Sequence, residues 1–450
     1  MSKKMTSQEA IVEAKRCLHC ATPSCRLGCP INNDIPAFIH ALSLGNFGDA
    51  FFSLVKENSL PAICGRLCAH EKQCEPKCVL SKDSNPINIS ALETFLAEFS
   101  YDHQLTPLGK SKGSAGKIAV IGSGPTGLSV AGELAKKDFD VTVYEGQHEL
   151  GGVLLYGIPE FRLDKNIVHK EIDNLGHYGV KYITGALIGK DLTLDDLFAK
   201  GYKAIFIGIG SALPKTLAIP GHDLTGILSA NYFLRMVILA NSGKLDNKET
   251  LLSNEDEVVI IGGGNVAIDA ARIAVARGAR LVTVVYHKSP TEMSCLATAY
   301  TAALKEGIQF KFLRQPTAYL NNKQMRTLGA MRKPQGISDN TKVSGIMLQH
   351  VAKDAKGNFI HTGGQDVIAC TCVILAIGQR PAASIFSTTN GIKIDEQGFV
   401  ITKDHPYGMT TRPGVFSAGD AVNGPSTVVL AIEDSKKVVK GITEYVARLQ

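Results

Sequence analysis

The sequence predicts an α/β protein in which an α-helical N-terminal segment precedes two doubly wound domains, the second inserted within the first. Three observations lead to this class. Eight of the eleven cysteines in the 450-residue chain lie between Cys17 and Cys78. The first hundred or so residues carry helical patterns and no strand pattern. From Lys117 onward, an apolar strand, a glycine-rich turn, a helix and a second strand follow in order, and this order recurs about 140 residues later.

Length and composition restrict the class of protein. A chain of 450 residues exceeds the size at which one hydrophobic core keeps growing, so several domains are expected. The net charge of +6, from 48 basic and 42 acidic residues, is spread along the chain, and it indicates neither a nucleic-acid nor a membrane partner. The N-terminal residues show no apolar signal stretch, and no run approaches the ~18 apolar residues of a membrane span. With unpaired thiols, this favours the reducing cytoplasm.

The cysteines fall into two sets, Cys17-x2-Cys20-x4-Cys25-x3-Cys29-Pro30 and Cys64-x3-Cys68-x5-Cys74-x3-Cys78. Such spacings suit 4Fe-4S cubanes, in which each iron needs one outward ligand, and a cysteine before proline often serves the other cluster of a pair. A pair of zinc sites is the alternative, because zinc also accepts cysteines at short spacings. Zinc is redox-silent, however, and would not explain the nucleotide-binding pattern that follows. We therefore expect two 4Fe-4S clusters.

The first strand–turn–helix unit is KIAVIGSGPTGLSVAGELAKKDFDVTVYE, with glycines at Gly122, Gly124 and Gly127. Glycines at this spacing let the backbone turn tightly and approach a pyrophosphate at the helix N-terminus. Glu145 ends the second strand, 18 residues beyond Gly127, where a carboxylate can accept the hydrogen bonds of a ribose diol. The unit predicts an adenine dinucleotide whose ribose is unphosphorylated.

The second unit, EVVIIGGGNVAIDAARIAVARGARLVTVVYHK, carries Gly262, Gly264 and Ala267 at the same spacing. Its second strand ends in Tyr286, His287 and Lys288, where the first unit has its glutamate. Neutral or cationic donors at this point suit a 2′-phosphate, so we predict NADP(H). If His287 and Lys288 are only exposed turn residues, NAD(H) remains possible.

Two different dinucleotide sites imply a flavin beside a nicotinamide, because hydride passes directly from a reduced nicotinamide to a flavin ring. A flavin can then release electrons singly to iron. We expect a helical domain with two 4Fe-4S clusters over 1–110, a Rossmann-like FAD domain over 117–240 and 380–450, and a Rossmann-like NAD(P)H domain over 250–379. The polar stretch DHQLTPLGKSKGSAG separates the first of these from the rest.

The chain resembles the small (beta) subunit of glutamate synthase, the NADPH-side half of dihydropyrimidine dehydrogenase and the large subunit of NADH-dependent ferredoxin:NADP oxidoreductase. The resemblance runs almost from end to end. Its motifs are the two cysteine sets, LPAICGRLCAHEKQCEPKCVL, NPINISALETF, VIGSGPTG, GGVLLYGIPEFRL, GYKAIFIGIG, VIIGGGNVAIDAARIA, LAIGQ and VFSAGDAVNGPSTVVLAI.

The resemblance implies a role for each of the following residues. One cluster would be ligated by Cys17, Cys20, Cys25 and Cys78, and the other by Cys29, Cys68, Cys74 and Glu93, which leaves Cys64 over. FAD would be bound by Gly122, Gly124, Gly127, Glu145, Gly152, Arg162, Gly419, Asp420, Thr427 and Val428. The nicotinamide dinucleotide would be bound by Gly262, Gly264, Asn265, Ala267, His287, Lys288 and Gly378. For Glu93 and Asp420 the alternatives are a helix-surface residue without a metal and a helix cap, respectively.

Three departures from the family pattern bear on these roles. Relatives that use NADPH commonly have two arginines after the tyrosine of the second unit, and His287 and Lys288 lack their planar, two-pronged geometry. The Pro-Ala that usually follows Glu-Met is Ser294-Cys295 here. Ser435 replaces a glycine, which we interpret as variation at the surface.

We therefore predict an NAD(P)H-dependent FAD/iron–sulfur oxidoreductase of the glutamate synthase small-subunit type, with no catalytic side chain because hydride passes between bound cofactors. The expected partner is a larger catalytic flavoprotein subunit or a ferredoxin-type acceptor, in a hetero-oligomer. A glutamate synthase-type assembly is the first choice. The Cys68-x5-Cys74 spacing and NPINIS keep open the dihydropyrimidine dehydrogenase and electron-bifurcating ferredoxin:NADP oxidoreductase types.

Two other functions remain possible. A thioredoxin-reductase-like disulfide reductase shares the two-unit plan but needs a dithiol near the flavin. Beyond Lys117 the sequence offers only Cys295 and the pair Cys370 and Cys372, which lies in an apolar strand pattern. A cluster-bearing scaffold that merely senses redox state is the non-enzymatic alternative, and the intact phosphate loops argue against it.

Overall fold

The structure is a computed structural model that describes residues 4–83, 85–105, 109–244, 252–329, 340–382, 384–387 and 389–449. Its contacts divide the chain into two compact units. The first comprises Met1–Leu155, Glu160–Leu213 and Gln379–Gln450, and the second comprises Tyr156–Pro159 and Pro214–Gly378. The second unit is thus inserted in the chain of the first.

The N-terminal part of the first unit is helical. Its helices are α1 (Ser7–Ala14), α2 (Ser24–Leu27), α3 (Ile35–Ser43), α4 (Phe47–Glu57), α5 (Pro61–Leu67) and α6 (Ile89–Asp102), with 3₁₀ turns at His70–Lys72, Glu75–Lys77 and Val79–Asp83. Over the described residues between 4 and 105 there is no strand, as predicted. Phe38, Leu54 and Leu96 belong to a buried core against which cysteines of both sets pack. A small apolar core therefore holds the cysteine-bearing loops in place.

The later elements follow in chain order. The strands are β1 (Lys117–Ile121), β2 (Asp140–Tyr144), β3 (Lys181–Ile183), β4 (Tyr202–Ile207), β5 (Leu213–Pro214), β6 (Ile227–Ser229), β7 (Glu257–Ile261), β8 (Leu281–Tyr286), β9 (Gln309–Phe312), β10 (Arg314–Leu320), β11 (Gly345–Lys353), β12 (Phe359–Ala369), β13 (Cys372–Leu375), β14 (Gln379–Arg380) and β15 (Val415–Ser417). The helices are α7 (Pro125–Ala135), α8 (Val153–Tyr156), α9 (Lys165–His177), α10 (Leu194–Ala199), α11 (Ala230–Asn241), α12 (Asn265–Ala276), α13 (Ala297–Lys305), α14 (Asn322–Thr327), α15 (Ser384–Ser387), α16 (Asp420–Asn423) and α17 (Val428–Ala447), with a 3₁₀ turn at Pro290–Glu292.

Each unit contains a five-stranded parallel sheet. In the first unit the order is β15-β4-β1-β2-β3, and in the second it is β6-β13-β7-β8-β9. The central strands β1 and β7 are almost wholly buried, because helices cover both faces of a doubly wound sheet. The second unit adds an antiparallel sheet, β10-β11-β12. The predicted fold class, a helical N-terminal region followed by two doubly wound domains, is confirmed.

One predicted boundary differs from the observed division. The first doubly wound domain was expected to run to residue 240, but the chain enters the second unit at Pro214. The reason is that β6 pairs in parallel with β13. Phe233 and Val237 of α11 also pack in the core of the second sheet, beside Val258 and Ile374. Residues 214–240 therefore belong with the second unit.

Among the described residues, no helix is both long enough and apolar enough to cross a membrane.

Candidate functional site

The first glycine-rich loop connects β1 to α7 by a turn that only glycine accommodates. Gly122 has φ +97°, and a Cβ there would lie 2.6 Å from the Gly208 carbonyl oxygen. A Cβ on Gly127 would lie 2.0 Å from the Gly122 carbonyl oxygen. Gly124 is the residue before α7 and has no side chain to cap the helix. The first N–H groups of α7 therefore have no partner within the helix and are available to a ligand at the loop. This geometry is the one expected at a pyrophosphate site.

Glu145 follows β2 and is buried beside the same loop. One of its oxygens, Oε2, accepts hydrogen bonds from Ser123 N (2.9 Å) and Ser123 Oγ (2.6 Å). The other, Oε1, accepts one from Gln147 N (2.9 Å). Each carboxylate oxygen can accept more than one hydrogen bond, so acceptor capacity remains for a ribose hydroxyl. Ser123 Oγ also accepts a bond from Gly151 N (3.0 Å), which links the loop to Gly152.

Two further predicted residues converge on the start of α7. A Cβ on Gly152, which has φ +53°, would lie 2.9 Å from Gly124 Cα. A Cβ on Gly419, with φ +68°, would lie 2.4 Å from Thr126 Oγ1. Both positions therefore require glycine, and the structure brings Gly122, Gly124, Gly152 and Gly419 into one cradle.

Asp420 begins α16 and is mostly buried. Burial raises the pKa of its carboxyl to about 6, which hydrogen bonds from Ser426 N and Oγ only partly offset. Both bonds go to Oδ1, at 3.1 Å and 3.2 Å. Neither bond involves Oδ2, the other oxygen of this carboxyl. Arg162 lies half-buried between α8 and α9, and Thr427 and Val428 form the N-terminus of α17.

Asp434, on α17, fixes the turn that carries Gly419 and Asp420, and it lies outside the sequence motifs that point to the site. Its Oδ2 accepts hydrogen bonds from Gly419 N (2.8 Å) and Asn423 Nδ2 (2.6 Å). Its Oδ1 accepts one from Tyr407 Oη (2.7 Å). The signal that could have revealed it is an acidic residue at a helical position that must otherwise be apolar, between Ile432 and Val438.

The second glycine-rich loop connects β7 to α12 in the second unit. Gly262 has φ +143°, and a Cβ there would lie 2.4 Å from the Ala376 carbonyl oxygen. Gly264 precedes α12, and Ala267 is fully buried in it. Asn265 uses its Oδ1 to accept a hydrogen bond from Leu296 N (2.9 Å), so it also fixes the loop after Ser294-Cys295. Gly378 has φ +100°, and its carbonyl accepts a bond from Lys215 N (3.1 Å).

His287 and Lys288 follow β8, beside the second loop. The ring of Tyr286 lies against Gly263, where a Cβ would come within 2.6 Å of it. The rings of His287 and Phe359 meet edge to face, with centroids 5.1 Å apart. Partial burial lowers the pKa of His287, and the charge of Lys288 lowers it further. The histidine is therefore a neutral donor at physiological pH, and Lys288 carries the positive charge.

The first four predicted cluster ligands, Cys17, Cys20, Cys25 and Cys78, line one cavity. Its remaining wall includes apolar side chains of Ile35, Ile39, Ile87 and Ile89. Burial raises the pKa of Cys17, and it raises that of Cys25 to about 11. Four thiols around one cavity are the donor set that a cubane requires. Their raised pKa values are compatible with this role, because metal binding removes the thiol protons.

The other predicted ligands, Cys29, Cys68, Cys74 and Glu93, form a second, partly buried group. Burial raises the pKa of Cys29 to about 11 and that of Cys74 further, and the negative charge of Glu93 adds to both shifts. Cys64, left over in the sequence analysis, lies in the same group. The hydrogen bond between Cys64 and Cys68 is the main cause that raises the pKa of the Cys68 thiol, and burial is the second. The second group therefore offers five candidate donors for four positions.

Glu93 is held by two side chains in this group. Asn33 Nδ2 donates to Oε1 at 3.0 Å, and His70 Nε2 lies 3.2 Å from Oε2. Burial lowers the pKa of His70, but the hydrogen bond and charge of Glu93 outweigh that effect, so the pKa lies above its ordinary value. Glu93 is 5 % exposed, so the alternative of a helix-surface residue does not describe it.

No group of three or more His, Cys, Asp or Glu side chains in the described ranges is gathered around a point that could hold a single metal ion. In a cubane the four thiolates bind four different irons, so they need not converge on one point. The two groups thus fit clusters by the chemistry of their donors.

The remaining cysteines offer no reactive dithiol. Cys295, Cys370 and Cys372 are buried. Burial raises the pKa of Cys372 to about 12 and that of Cys370 further. Since the thiolate is the nucleophile in disulfide exchange, thiols in such surroundings are inert.

Comparison with known proteins places these features in context. Residues 1–105 match the family described as dihydropyrimidine dehydrogenase domain II, 4Fe-4S cluster, and residues 116–435 match the pyridine nucleotide-disulphide oxidoreductase family. The glutamate synthase (NADPH) small chain of Halomonas elongata is 30% identical over 442 residues, covering 97% of this chain and 91% of the relative. The corresponding chain of Escherichia coli is 30% identical over 453 residues, with the same coverage. The NADPH-Fe(3+) oxidoreductase subunit beta of Geobacter sulfurreducens is 31% identical over 456 residues, covering 94% of this chain and 64% of that protein.

Solved structures show the same fold at lower identity. FprA of Mycobacterium tuberculosis matches with a TM-score of 0.58 and 19% identity, covering 74% of this chain and 85% of that one. Thioredoxin reductase of Lactococcus lactis matches with a TM-score of 0.52 and 20% identity, covering 74% and 99%. These likenesses concern the fold alone.

The sequence matches confirm the predicted family resemblance, the oxidoreductase class and the predicted set of cofactors, namely FAD, NADP(H) and 4Fe-4S clusters.

Proposed function

We propose, from the premise that this chain belongs to the family of glutamate synthase small chains, that it takes electrons from NADPH and delivers them singly to a partner protein. One observation carries this proposal. The compact unit that holds the first glycine cradle also holds two separate, partly buried groups of cysteines. A hydride acceptor and one-electron carriers would therefore share one compact unit.

When bound, the nicotinamide supplies a hydride, the flavin accepts it, and the clusters carry one electron each. The chain's own residues hold these groups. The N-terminus of α7 would face a pyrophosphate, Glu145 would accept ribose hydroxyls, and Asp420 would accept a hydroxyl of the ribityl chain. Gly122 and Gly124 would let the backbone approach the pyrophosphate of FAD. Gly262 and Gly264 would do the same for the pyrophosphate of the nicotinamide dinucleotide.

For the clusters we propose the ligands implied by the family resemblance. Cys17, Cys20, Cys25 and Cys78 would hold one, and Cys29, Cys68, Cys74 and Glu93 the other. The shared cavity of the first four supports the first set. The second is supported by the charge of Glu93 on Cys29, Cys68 and Cys74. Cys64 is the competing fourth ligand.

We propose a glutamate synthase-type large subunit as the partner. The support is that two relatives named as small chains of glutamate synthase match this chain along nearly their whole length. The final acceptor would then be reduced on the partner. Dihydropyrimidine dehydrogenase-type and ferredoxin:NADP oxidoreductase-type assemblies remain the alternatives. The beta subunits among the relatives support a hetero-oligomer in each case.

The decisive experiment uses anaerobically purified protein. We expect about eight irons and eight acid-labile sulfides per chain if two cubanes are present. Mixing with NADPH in a stopped-flow instrument should bleach the flavin and then the cluster absorbance, and native co-purification should recover the partner. If the protein lacks iron and sulfide in the amounts that cubanes require, the proposed transfer of single electrons through the clusters is refuted. Flavin that NADPH does not reduce on the timescale of turnover would favour the redox-sensing scaffold.

A further inference from the structure

The end of β11 lies close to the residues that follow β8, and this brings a second lysine, Lys353, into the neighbourhood of His287. Lys353, the last residue of β11, has its Nζ 5.6 Å from the centroid of the Phe359 ring. The same ring packs edge to face against His287, with centroids 5.1 Å apart. Lys353 also forms an ion pair with Glu292. The Phe359 ring thus contacts both Lys353 and His287.

The position matters because the residues after the second strand of such a unit meet the 2′ position of the adenosine ribose. Here that strand is β8, and Tyr286 at its end touches Gly263 of the loop. A 2′-phosphate at this point would carry close to two negative charges near neutral pH. Where lysines replace arginines, a second ammonium would strengthen its recognition, because lysine acts as a point charge and lacks the two-pronged geometry of arginine.

The other two residues do not meet this requirement by themselves. His287 is kept neutral, because partial burial and then the charge of Lys288 lower its pKa. The charge of Glu292 raises this pKa, and the charge of Lys353 lowers it. A neutral imidazole donates one hydrogen bond and adds no charge. Lys288 would therefore be the sole cation among the two residues after β8.

We propose that Lys353 determines selectivity for the 2′-phosphorylated coenzyme, by donating to the 2′-phosphate together with Lys288. Glu292 holds the ammonium at the rim of the site when no phosphate is there. The lysine thus replaces one of the two arginines that relatives carry after the tyrosine. This inference rests on the proposed use of NADPH.

The test is the variant Lys353→Met, with Lys356→Met as its matched control. Lys356 is an exposed lysine of the same hairpin, in the turn between Asp354 and Asn358. Equilibrium binding of 2′,5′-ADP and of 5′-AMP would be measured by calorimetry, and KM for NADPH and NADH with ferricyanide as acceptor. K353M should weaken 2′,5′-ADP binding and raise KM for NADPH about tenfold, while 5′-AMP and NADH are unaffected. K356M should behave like the wild type.

A second variant distinguishes two ways in which Lys353 could act. The lysine could donate directly to the 2′-phosphate, or it could only neutralise the negative charge of Glu292. If Lys353 acts only by neutralising that carboxylate, the double variant Glu292→Gln with Lys353→Met will bind 2′,5′-ADP as well as the wild type. That result would overturn the proposal, as would unchanged 2′,5′-ADP affinity in K353M. Persistent loss in the double variant, with recovery in Lys353→Arg, supports it.

The wild type distinguishes failure of this inference from failure of the proposed function. If NADPH reduces the wild-type flavin and K353M retains full 2′,5′-ADP affinity, only the role of Lys353 is wrong. If wild-type protein binds 5′-AMP and 2′,5′-ADP equally and is reduced by NADH alone, the use of NADPH is wrong and the role of Lys353 with it.

Discussion

The hydroxyl oxygens of Ser129 and Ser435 lie 2.6 Å apart, in the contact between α7 and α17. Both residues are fully buried, and Ser435 Oγ also donates to the Ile432 carbonyl at 2.6 Å. The interpretation of Ser435 as variation at the surface is therefore wrong. A glycine at this position would leave the Ser129 hydroxyl without this partner, so the two serines form a pair that relatives with glycine lack.

Replacing Ser435 with alanine should destabilise the first unit, because the buried hydroxyl of Ser129 then loses its partner. An unsatisfied buried hydroxyl costs about 1 to 3 kcal/mol. The midpoint of thermal unfolding of the FAD-loaded protein should fall more in S435A than in S129A, because Ser435 still donates to the Ile432 carbonyl when Ser129 is replaced. The double variant should be no less stable than S435A, since it leaves no orphaned hydroxyl. Strictly additive losses would contradict direct pairing.

Sequence predicts well those features that depend on neighbouring residues. Gly122, Gly124 and Gly127 are recognisable by their spacing between a strand and a helix, and a Cβ on Gly127 would meet the Gly122 carbonyl oxygen of the same unit. The grouping of the cysteines does not follow from their spacing: the family resemblance implies that the distant Cys78 joins Cys17, and both residues line one cavity.

Features that depend on distant segments could not be predicted in this way. Ser435 meets Ser129 across 306 residues, and Lys353 meets Glu292 across 61. β6 joins the second sheet because it pairs with β13, and nothing near residue 214 in the sequence indicates that pairing. In each case packing brings together residues whose local patterns are ordinary.

The second cysteine group gives a direct test of its fourth ligand. Glu93→Ala should remove one cluster from the electron paramagnetic resonance spectrum and about half of the iron, while NADPH still reduces the flavin. Glu93→Gln should retain the cluster with a shifted potential, because the amide keeps an oxygen donor.

Cys64→Ser is the matched comparison for Glu93. It removes a buried thiol next to Cys68 and should leave both cluster spectra in place. If C64S loses a cluster and E93A keeps both, Cys64 is the ligand and the assignment of Glu93 is wrong.

Asp434 should control how tightly FAD is held, although it need not touch the cofactor. Asp434→Ala removes the acceptor for Gly419 N and Asn423 Nδ2, so the turn that presents Asp420 loses its fixed position. We expect FAD to dissociate about tenfold more readily, a change of about 1.4 kcal/mol. Fluorescence of released flavin measures this, and iron content should stay constant. Glu433→Gln is the control, because Glu433 neighbours Asp434 but pairs with Lys437 at the surface. Equal FAD retention in D434A and E433Q would refute the role.

The link between α9 and α5 should depend on pH through Glu171. Its carboxylate is 2 % exposed and accepts a hydrogen bond from Ala62 N (2.5 Å), at the start of the helix that carries Cys64. Burial raises the pKa of Glu171 to about 7, and the backbone hydrogen bonds from Ala62 and Ile63 offset only part of that effect.

A folded-state pKa above the unfolded value means that the folded protein binds the proton more tightly. Stability from this group is therefore complete below pH ~4.5 and is lost as the pH rises to about 7, by at most about 3 kcal/mol. Glu171→Gln keeps an acceptor for Ala62 N and cannot ionise. The thermal unfolding midpoint of the wild type should fall relative to that of E171Q between pH 5 and 7 and run parallel to it above pH 8. If the difference between the two proteins stays constant across this range, Glu171 does not titrate where its burial requires, and the contact between α9 and α5 is more hydrated than the structure indicates.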